Sequence, residues 1–259
     1  MRYWGPNIKI SGNQLYSSND PQYVSGRTNP GAGDFEIQVQ DLLRDIERNP
    51  VGKVLLNALN RAPESVTIRA LDPAVAARDG PSCAALWPDV AGEGSMGYHG
   101  SGSPAFIVLD PHDFFWQGHR YRAIDSLFHE SVHALRQMRG RWQPRSGGTS
   151  LDAAILMSIY GNTEEQLAVM LTNIYDSVEL RNADMRATHS KNFLPETLSD
   201  EDYYHRYHDE ILSFRYKMSD LYEPLSKLAT GWNPLRVCEK WWDAFHTSGL
   251  PDFPAGGPR

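Results

Sequence analysis

The feature that most restricts how this chain can fold is a pair of histidines four residues apart inside a strongly periodic apolar segment. From Tyr121 to Met138, apolar side chains recur every three or four residues, which predicts a helix with a buried face. His129 and His133 then lie on one side of that helix, one turn apart, where both imidazoles can reach a single metal ion. The fold must therefore bury this helix and leave a site beside it.

Glu130 follows the first histidine and completes the pattern His129-Glu130-Ser131-Val132-His133. This pattern is the signature of zinc metalloproteases, with two histidine ligands and a glutamate as general base. Zinc lowers the pKa of its bound water to about 7, and a neighbouring carboxylate can accept the proton and pass it to the leaving group. The motif predicts Zn²⁺ as cofactor, His129 and His133 as its ligands and Glu130 as the catalytic residue.

A catalytic zinc site needs a third protein ligand, and the residues that directly follow the motif do not supply one. The segment from Ala134 to Gly140 contains no histidine or aspartate, which excludes the three-histidine metzincin arrangement. The next strong helical pattern runs from about Thr163 to Asn182 and begins with two adjacent glutamates. Glu165 is the first choice as third ligand and Glu164 the alternative, although acidic residues after Asn162 are also typical of an ordinary helix start.

A cluster of tyrosines and histidines from Tyr203 to His208 offers candidates for stabilising the transition state. A hydroxyl or imidazole there could polarise the scissile carbonyl and hold the oxyanion. Ordinary packing of aromatic side chains on a helix is the alternative interpretation. The candidates are Tyr204, His205, Tyr207 and His208.

The charge and apolar content of the chain limit the kinds of binding partner and the location that we expect. The formal net charge is −7 and there is no basic stripe, so nucleic acid is not expected as a partner. No apolar run approaches the length of a membrane span, and the first residues lack the apolar stretch of a cleaved signal peptide. We expect a soluble protein, exported, if at all, without a cleaved signal peptide. Cys83 and Cys238 form either one disulfide or two reduced thiols.

The remaining patterns predict an α+β fold, with a small mixed sheet, an active-site helix and a helical C-terminal lobe. Residues 1–33 are expected to be a partly mobile N-terminal extension, 34–248 the domain and 249–259 a tail. Within 1–33 only Asn7–Ile10 is strand-like, and 17–34 and 72–104 are expected to be loops. Other expected elements are a helix from Phe35 to Pro50, strands Ser65–Ala70 and Ala105–Leu109, a helical segment Asp200–Leu228 broken near Pro224, and a helix Arg236–Phe245. The strand Ala105–Leu109 is either an edge strand that pairs with extended peptide or an interior strand.

Several of these segments together resemble the NleD-type effector zinc metallopeptidases, which bacterial pathogens deliver into host cells. The resemblance covers about residues 35–185. It rests on the segments Pro50–Leu56 and Leu127–Leu135, on Glu164-Glu165, and on Asn173 and Arg181. It implies a zincin-like fold and a secreted virulence endopeptidase that cleaves a protein or peptide in a host or rival cell. The alternatives are a zinc hydrolase of a non-protein amide or ester, and a catalytically inactive zincin-like binding module.

Overall fold

The computed structural model describes residues 1–17, 24–75, 84–86, 100–116, 119–142, 160, 162–179 and 199–247. The strands are β1 (Arg2–Trp4), β2 (Ile8–Tyr16), β3 (Val24–Thr28), β4 (Val66–Leu71), β5 (Ala84–Leu86), β6 (Ala105–Leu109), β7 (Phe114–Trp116) and β8 (His119–Tyr121). The main sheet has the order β1-β2-β4-β6-β5, with β3 also paired to β2, and β7 and β8 form a separate hairpin. Strands β2, β4 and β6 are parallel, and the other pairs are antiparallel.

The helices are α1 (Ala32–Arg48), α2 (Pro50–Asn60), α3 (Ala123–Met138), α4 (Thr163–Asp176), α5 (Asp200–Arg206), α6 (His208–Lys217), α7 (Ser219–Ser226) and α8 (Pro234–Thr247). Helix α3 carries the histidine motif, and α5 to α8 make up the C-terminal lobe. This arrangement confirms the predicted α+β class, with its small mixed sheet and helical C-terminal lobe.

One face of the sheet builds the main core. Side chains alternate between the two faces of a strand, so Ile10, Ile68 and Ile107 line up across β2, β4 and β6 on the same side. All three are buried in a hydrophobic cluster together with apolar residues of the helices. Burying a side chain of this size stabilises the fold by about 1.5–3 kcal/mol. The packing of these three isoleucines against the helices positions the sheet beside α3, the helix that carries the histidine motif.

Strand β6 lies inside the sheet, between β4 and β5. The edge-strand alternative for Ala105–Leu109 is therefore wrong, and the interior alternative is right. Its burial explains the continuous apolar run, because an interior strand packs on both faces. Strand β5, within the region expected to be a loop, pairs antiparallel with β6 on that side.

The N-terminal residues contribute more strand than the sequence analysis expected. Strand β2 continues to Tyr16, and β3 lies in a segment expected to be loop. Gly12 gives one reason why the pattern was misleading: a Cβ at this position would lie 2.5 Å from the carbonyl oxygen of Ala32, so the close approach of the α1 segment requires a glycine within the strand.

The C-terminal lobe breaks at different points from the one expected. Helix α7 contains Pro224, and the chain leaves helical geometry instead at Tyr207 and Met218. The expected break near Pro224 is therefore wrong. A proline near the end of a short helix removes only one backbone hydrogen bond, whereas the two junctions let three short helices turn against each other.

Helix α3 ends in a Schellman motif, which fixes the segment that follows the histidine motif. The backbone N–H of Gly140 donates to Gln137 O at 3.0 Å, and that of Arg141 donates to Arg136 O at 2.7 Å. Gly140 has a φ of 63°, a conformation that favours glycine. The helix therefore ends at a defined point just after the motif.

Replacing Asn49 with alanine is expected to lower the free energy of unfolding by about 2 kcal/mol, because the residue is both a helix cap and a buried link. Its side chain accepts from Val51 N at 2.9 Å and donates to Tyr175 O at 3.1 Å, which ties the start of α2 to the end of α4. Urea unfolding of Asn49→Ala measures the effect. Asn57→Ala, at an exposed position of the same helix, is the control and should shift stability by less than about 0.5 kcal/mol.

Among the residues described, no helix combines the length and apolar character needed to cross a membrane. Cys238 is a buried free thiol on α8. Cys83, Arg181 and the predicted tail 249–259 lie outside the described residues.

Candidate metal centre

Helices α3 and α4 pack antiparallel, which brings the start of α4 beside the histidine motif. At one end of the pair, Arg122 donates to Asp176 at 2.7 Å. At the other end, Arg136 forms an ion pair with Glu164. Between them, the rings of Phe128 and Tyr175 stack with centroids 4.3 Å apart. Two ion pairs and an aromatic contact thus set the register of the helices.

The two motif histidines and Glu165 converge on one point between these helices. The Nε2 atoms of His129 and His133 are 3.1 Å apart. One Glu165 carboxylate oxygen lies 3.3 Å from His129 Nε2, and the other lies 3.3 Å from His133 Nε2. Both histidine side chains are almost fully buried, while Glu165 retains 21% of its side-chain exposure. The cluster is therefore open to solvent on the Glu165 side.

The electrostatics of this cluster favour positive charge. Burial alone would lower the pKa of His133, but the carboxylates of Glu164 and Glu165 outweigh it and raise that pKa to about 10. Burial would raise the pKa of Glu165, but the neighbouring His129 and His133 hold it well below its usual range. The surroundings of His133 therefore stabilise a cation placed among these side chains.

The adjacent glutamates at the start of α4 point to different places. The side chain of Asn162 caps the helix by accepting from Glu165 N at 2.8 Å, and the Glu165 carboxylate extends towards the two Nε2 atoms. Glu164 is 1% exposed and lies on the other side of the His133 ring, with a carboxylate oxygen 3.8 Å from Nδ1. Neighbouring residues of a helix point about 100° apart, so the two carboxylates lie on different sides of the His133 imidazole. The structure thus groups Glu165, rather than Glu164, with the two Nε2 atoms.

The donor set fits a zinc ion. The ligand atoms offered by His129, His133 and Glu165 all lie within 4.8 Å of one another. Two imidazole nitrogens and one carboxylate are a known zinc donor set in catalytic sites, where a fourth position stays open. The exposed side of the cluster, at Glu165, would give water or substrate access to that fourth position.

Glu130 lies beside this cluster on the same helix and is half-buried. Its charge is close enough to contribute to the raised pKa of His133. A carboxylate at this place can accept a proton from a molecule bound at the cluster.

The four proposed transition-state residues contact other residues of the C-terminal lobe, and Tyr207 also contacts Tyr160, with ring centroids 5.7 Å apart. The exposed imidazole of His205 lies against Trp241, with ring centroids 5.4 Å apart, and the exposed His208 pairs with Asp209 at 3.1 Å. Tyr207 is buried against Tyr203, with ring centroids 4.6 Å apart. Burial raises the pKa of Tyr204 to about 12, and the neighbouring Cys238 makes a smaller contribution in the same direction. Their assignment as transition-state stabilisers stays a prediction.

Two neighbours of the cluster were missed by the sequence analysis. Arg136, three residues after His133, is 5% exposed and pairs with Glu164. Trp142, just beyond the end of α3, packs edge-on against His133 with centroids 5.3 Å apart. An arginine at i+3 on the buried face of a helix is a signal that could have identified the first. The second lies in a loop, where periodicity carries no information.

Comparison with known proteins identifies a family to which the chain is similar. A sequence profile of the Peptidase_M91 family, described as effector protein, matches residues 25–203. No curated protein sequence matches the chain significantly.

Two of the solved structures that are similar to the chain come from Clostridium botulinum. One is the catalytic domain of Clostridium botulinum neurotoxin serotype F, with 15% identity, a TM-score of 0.38 and coverage of 81% of this chain and 62% of that one. The other is the light chain of the same serotype, with 14% identity, a TM-score of 0.38 and coverage of 83% and 71%. The chain thus spans less than two thirds of the first of these domains.

Proposed function

Because the chain belongs to the NleD-type effector family Peptidase_M91, a peptidase family, we propose that it is a zinc metalloendopeptidase that cleaves a protein in a target cell. The family membership confirms the resemblance seen in the sequence. The observation that carries the proposal is the convergence of His129 Nε2, His133 Nε2 and the Glu165 carboxylate on one point. The proposed ligands are these three residues, with Glu130 as the catalytic residue.

When bound there, zinc would polarise a substrate carbonyl and lower the pKa of a coordinated water to about 7. The chain's own residues perform the remaining steps. Glu130 accepts a proton from water as the water oxygen bonds to the carbonyl carbon. It then donates that proton to the amine nitrogen as the carbon–nitrogen bond breaks. The buried imidazoles of His129 and His133 keep their Nε2 atoms directed at one point throughout.

The effector description of the family supports a protein substrate and action after export into a host or rival cell. A solvent-accessible carboxylate at Glu165, beside buried histidines, is consistent with a large substrate that reaches the cluster from one side. We also propose, as the family resemblance implies, that the protein is secreted and acts in virulence.

The proposal is tested with the purified chain on a library of unfolded proteins and peptides, and in parallel on small amide and ester substrates. We expect cleavage of internal peptide bonds, loss of cleavage after chelation, and recovery when about one equivalent of Zn²⁺ is returned. Hydrolysis of only the small substrates would favour the non-protein amide or ester alternative. Zinc binding without any hydrolysis would favour the inactive binding module.

A further inference from the structure

A buried ion pair lies behind the proposed metal ligands and takes no part in the mechanism above. It joins Arg136 of α3 to Glu164 of α4, and these residues are 5% and 1% exposed. Removing two charges from water is costly unless good geometry and further hydrogen bonds compensate. A pair placed this deeply beside His133 therefore calls for a specific reason.

The His133 ring offers such a reason, because its two nitrogens face different groups. Nε2 faces His129 Nε2 at 3.1 Å and a Glu165 oxygen at 3.3 Å, so it is the nitrogen directed at the proposed metal position. Nδ1 lies on the other side of the ring, with Glu164 as a charged neighbour at 3.8 Å. A neutral imidazole that binds metal through Nε2 carries its proton on Nδ1, and a carboxylate near Nδ1 selects that tautomer and orients the ring.

Arg136 in turn holds Glu164. Its Nε donates to the Glu164 carboxylate, its Nη2 donates to Arg141 O at 2.7 Å, and its Nη1 lies 3.3 Å from Met218 Sδ. The guanidinium is therefore fixed by the Schellman turn that ends α3 and by the junction between α6 and α7. The orientation of Glu164 thus depends on three separate parts of the fold.

We propose that Glu164 and Arg136 are positioning residues, which hold His133 in the ring orientation and tautomer that bind zinc. The inference rests on the proposed zinc site and extends it to residues that touch neither metal nor substrate. It also gives the second glutamate of the pair a task of its own: Glu165 faces the metal position, and Glu164 holds the ring from behind.

The test compares the zinc affinity of two isosteric variants, measured by competition with a chromophoric chelator in the absence of substrate. Glu164→Gln removes the charge near His133 Nδ1 and is expected to weaken zinc binding by about 10–100-fold. Asp176→Asn is the matched control, because Asp176 is 4% exposed and its ion pair with Arg122 joins the same two helices at their other end. The control is expected to bind zinc as tightly as the parent chain, within about twofold.

Glu164→Gln leaves Arg136 buried without its carboxylate, so this variant could fail to fold. The double variant Arg136→Met with Glu164→Gln removes both charges together, and the same loss of affinity is expected from it. A measurement on the parent chain needs no variant at all: long-range proton–nitrogen spectra of the zinc-loaded protein should show His133 protonated at Nδ1 and coordinated through Nε2.

Equal zinc affinity in the parent chain and Glu164→Gln would overturn the inference, and so would an equal loss in Glu164→Gln and Asp176→Asn, since that would be a general effect of helix pairing. Coordination of His133 through Nδ1 in the parent spectra would overturn it as well. These readouts do not depend on turnover. A chain that shows the expected affinities but cleaves no peptide would contradict the proposed function alone, whereas a cleaving chain with unchanged affinity in Glu164→Gln would contradict only this inference.

Discussion

Replacing Glu130 with glutamine is expected to lower peptide-bond hydrolysis by about 100-fold to 10,000-fold, the usual contribution of a general acid–base. Glutamine has almost the same shape as glutamate but cannot accept and return the proton. Because Glu130 is not one of the three proposed zinc ligands, the variant is expected to bind zinc like the parent chain. Initial rates on a cleaved peptide and zinc content after dialysis measure the two effects.

The control for this variant is Glu47→Gln, at an exposed position of α1, which should leave both rate and zinc content unchanged. Full activity in Glu130→Gln would show that another group moves the proton. Loss of zinc together with activity would show instead that Glu130 holds the metal.

Replacing Glu165 with glutamine is expected to weaken zinc binding by more than about 100-fold. Loss of a residue that only supports a metal ligand costs up to about 100-fold, so loss of a ligand itself should cost more. The carboxylate lies 3.3 Å from each of the two Nε2 atoms, and an amide in its place carries no negative charge for the metal. Activity at limiting zinc should fall in parallel. Competition titration measures the affinity, as for the Glu164 variant.

Glu179→Gln is the control for this second variant, since Glu179 is exposed in the turn that follows α4. It should bind zinc like the parent chain. If Glu164→Gln lost more affinity than Glu165→Gln, the two glutamates would have been assigned the wrong way round.

The sequence predicted the motif helix and its chemistry because the relevant signal is local. Apolar spacing placed a helix over Tyr121–Met138, and the structure has Ala123–Met138. The i, i+4 spacing alone puts His129 and His133 on one side. The structure also confirms the strand Ala105–Leu109, whose apolar run is bounded by prolines at positions 104 and 111.

The sequence could not separate Glu164 from Glu165, because that choice depends on how α4 is rotated against α3. Packing between the helices sets this rotation, including the contact of Phe128 with Tyr175, and no residue pattern within α4 encodes it. The pairing of Arg136 with Glu164 could not be predicted for the same reason, since the two residues are 28 positions apart along the chain. Short strands such as β5 were missed because three residues are too few for an alternating pattern to appear.

The most direct test of the proposed zinc site is the position of zinc in crystals of the zinc-loaded chain, located by anomalous scattering at the zinc edge. We expect one peak between α3 and α4, about 2.0–2.1 Å from His129 Nε2 and from His133 Nε2 and about 2.0–2.2 Å from a Glu165 carboxylate oxygen. A peak bound by Glu164 in place of Glu165, or the absence of a peak at the two histidines, would contradict it.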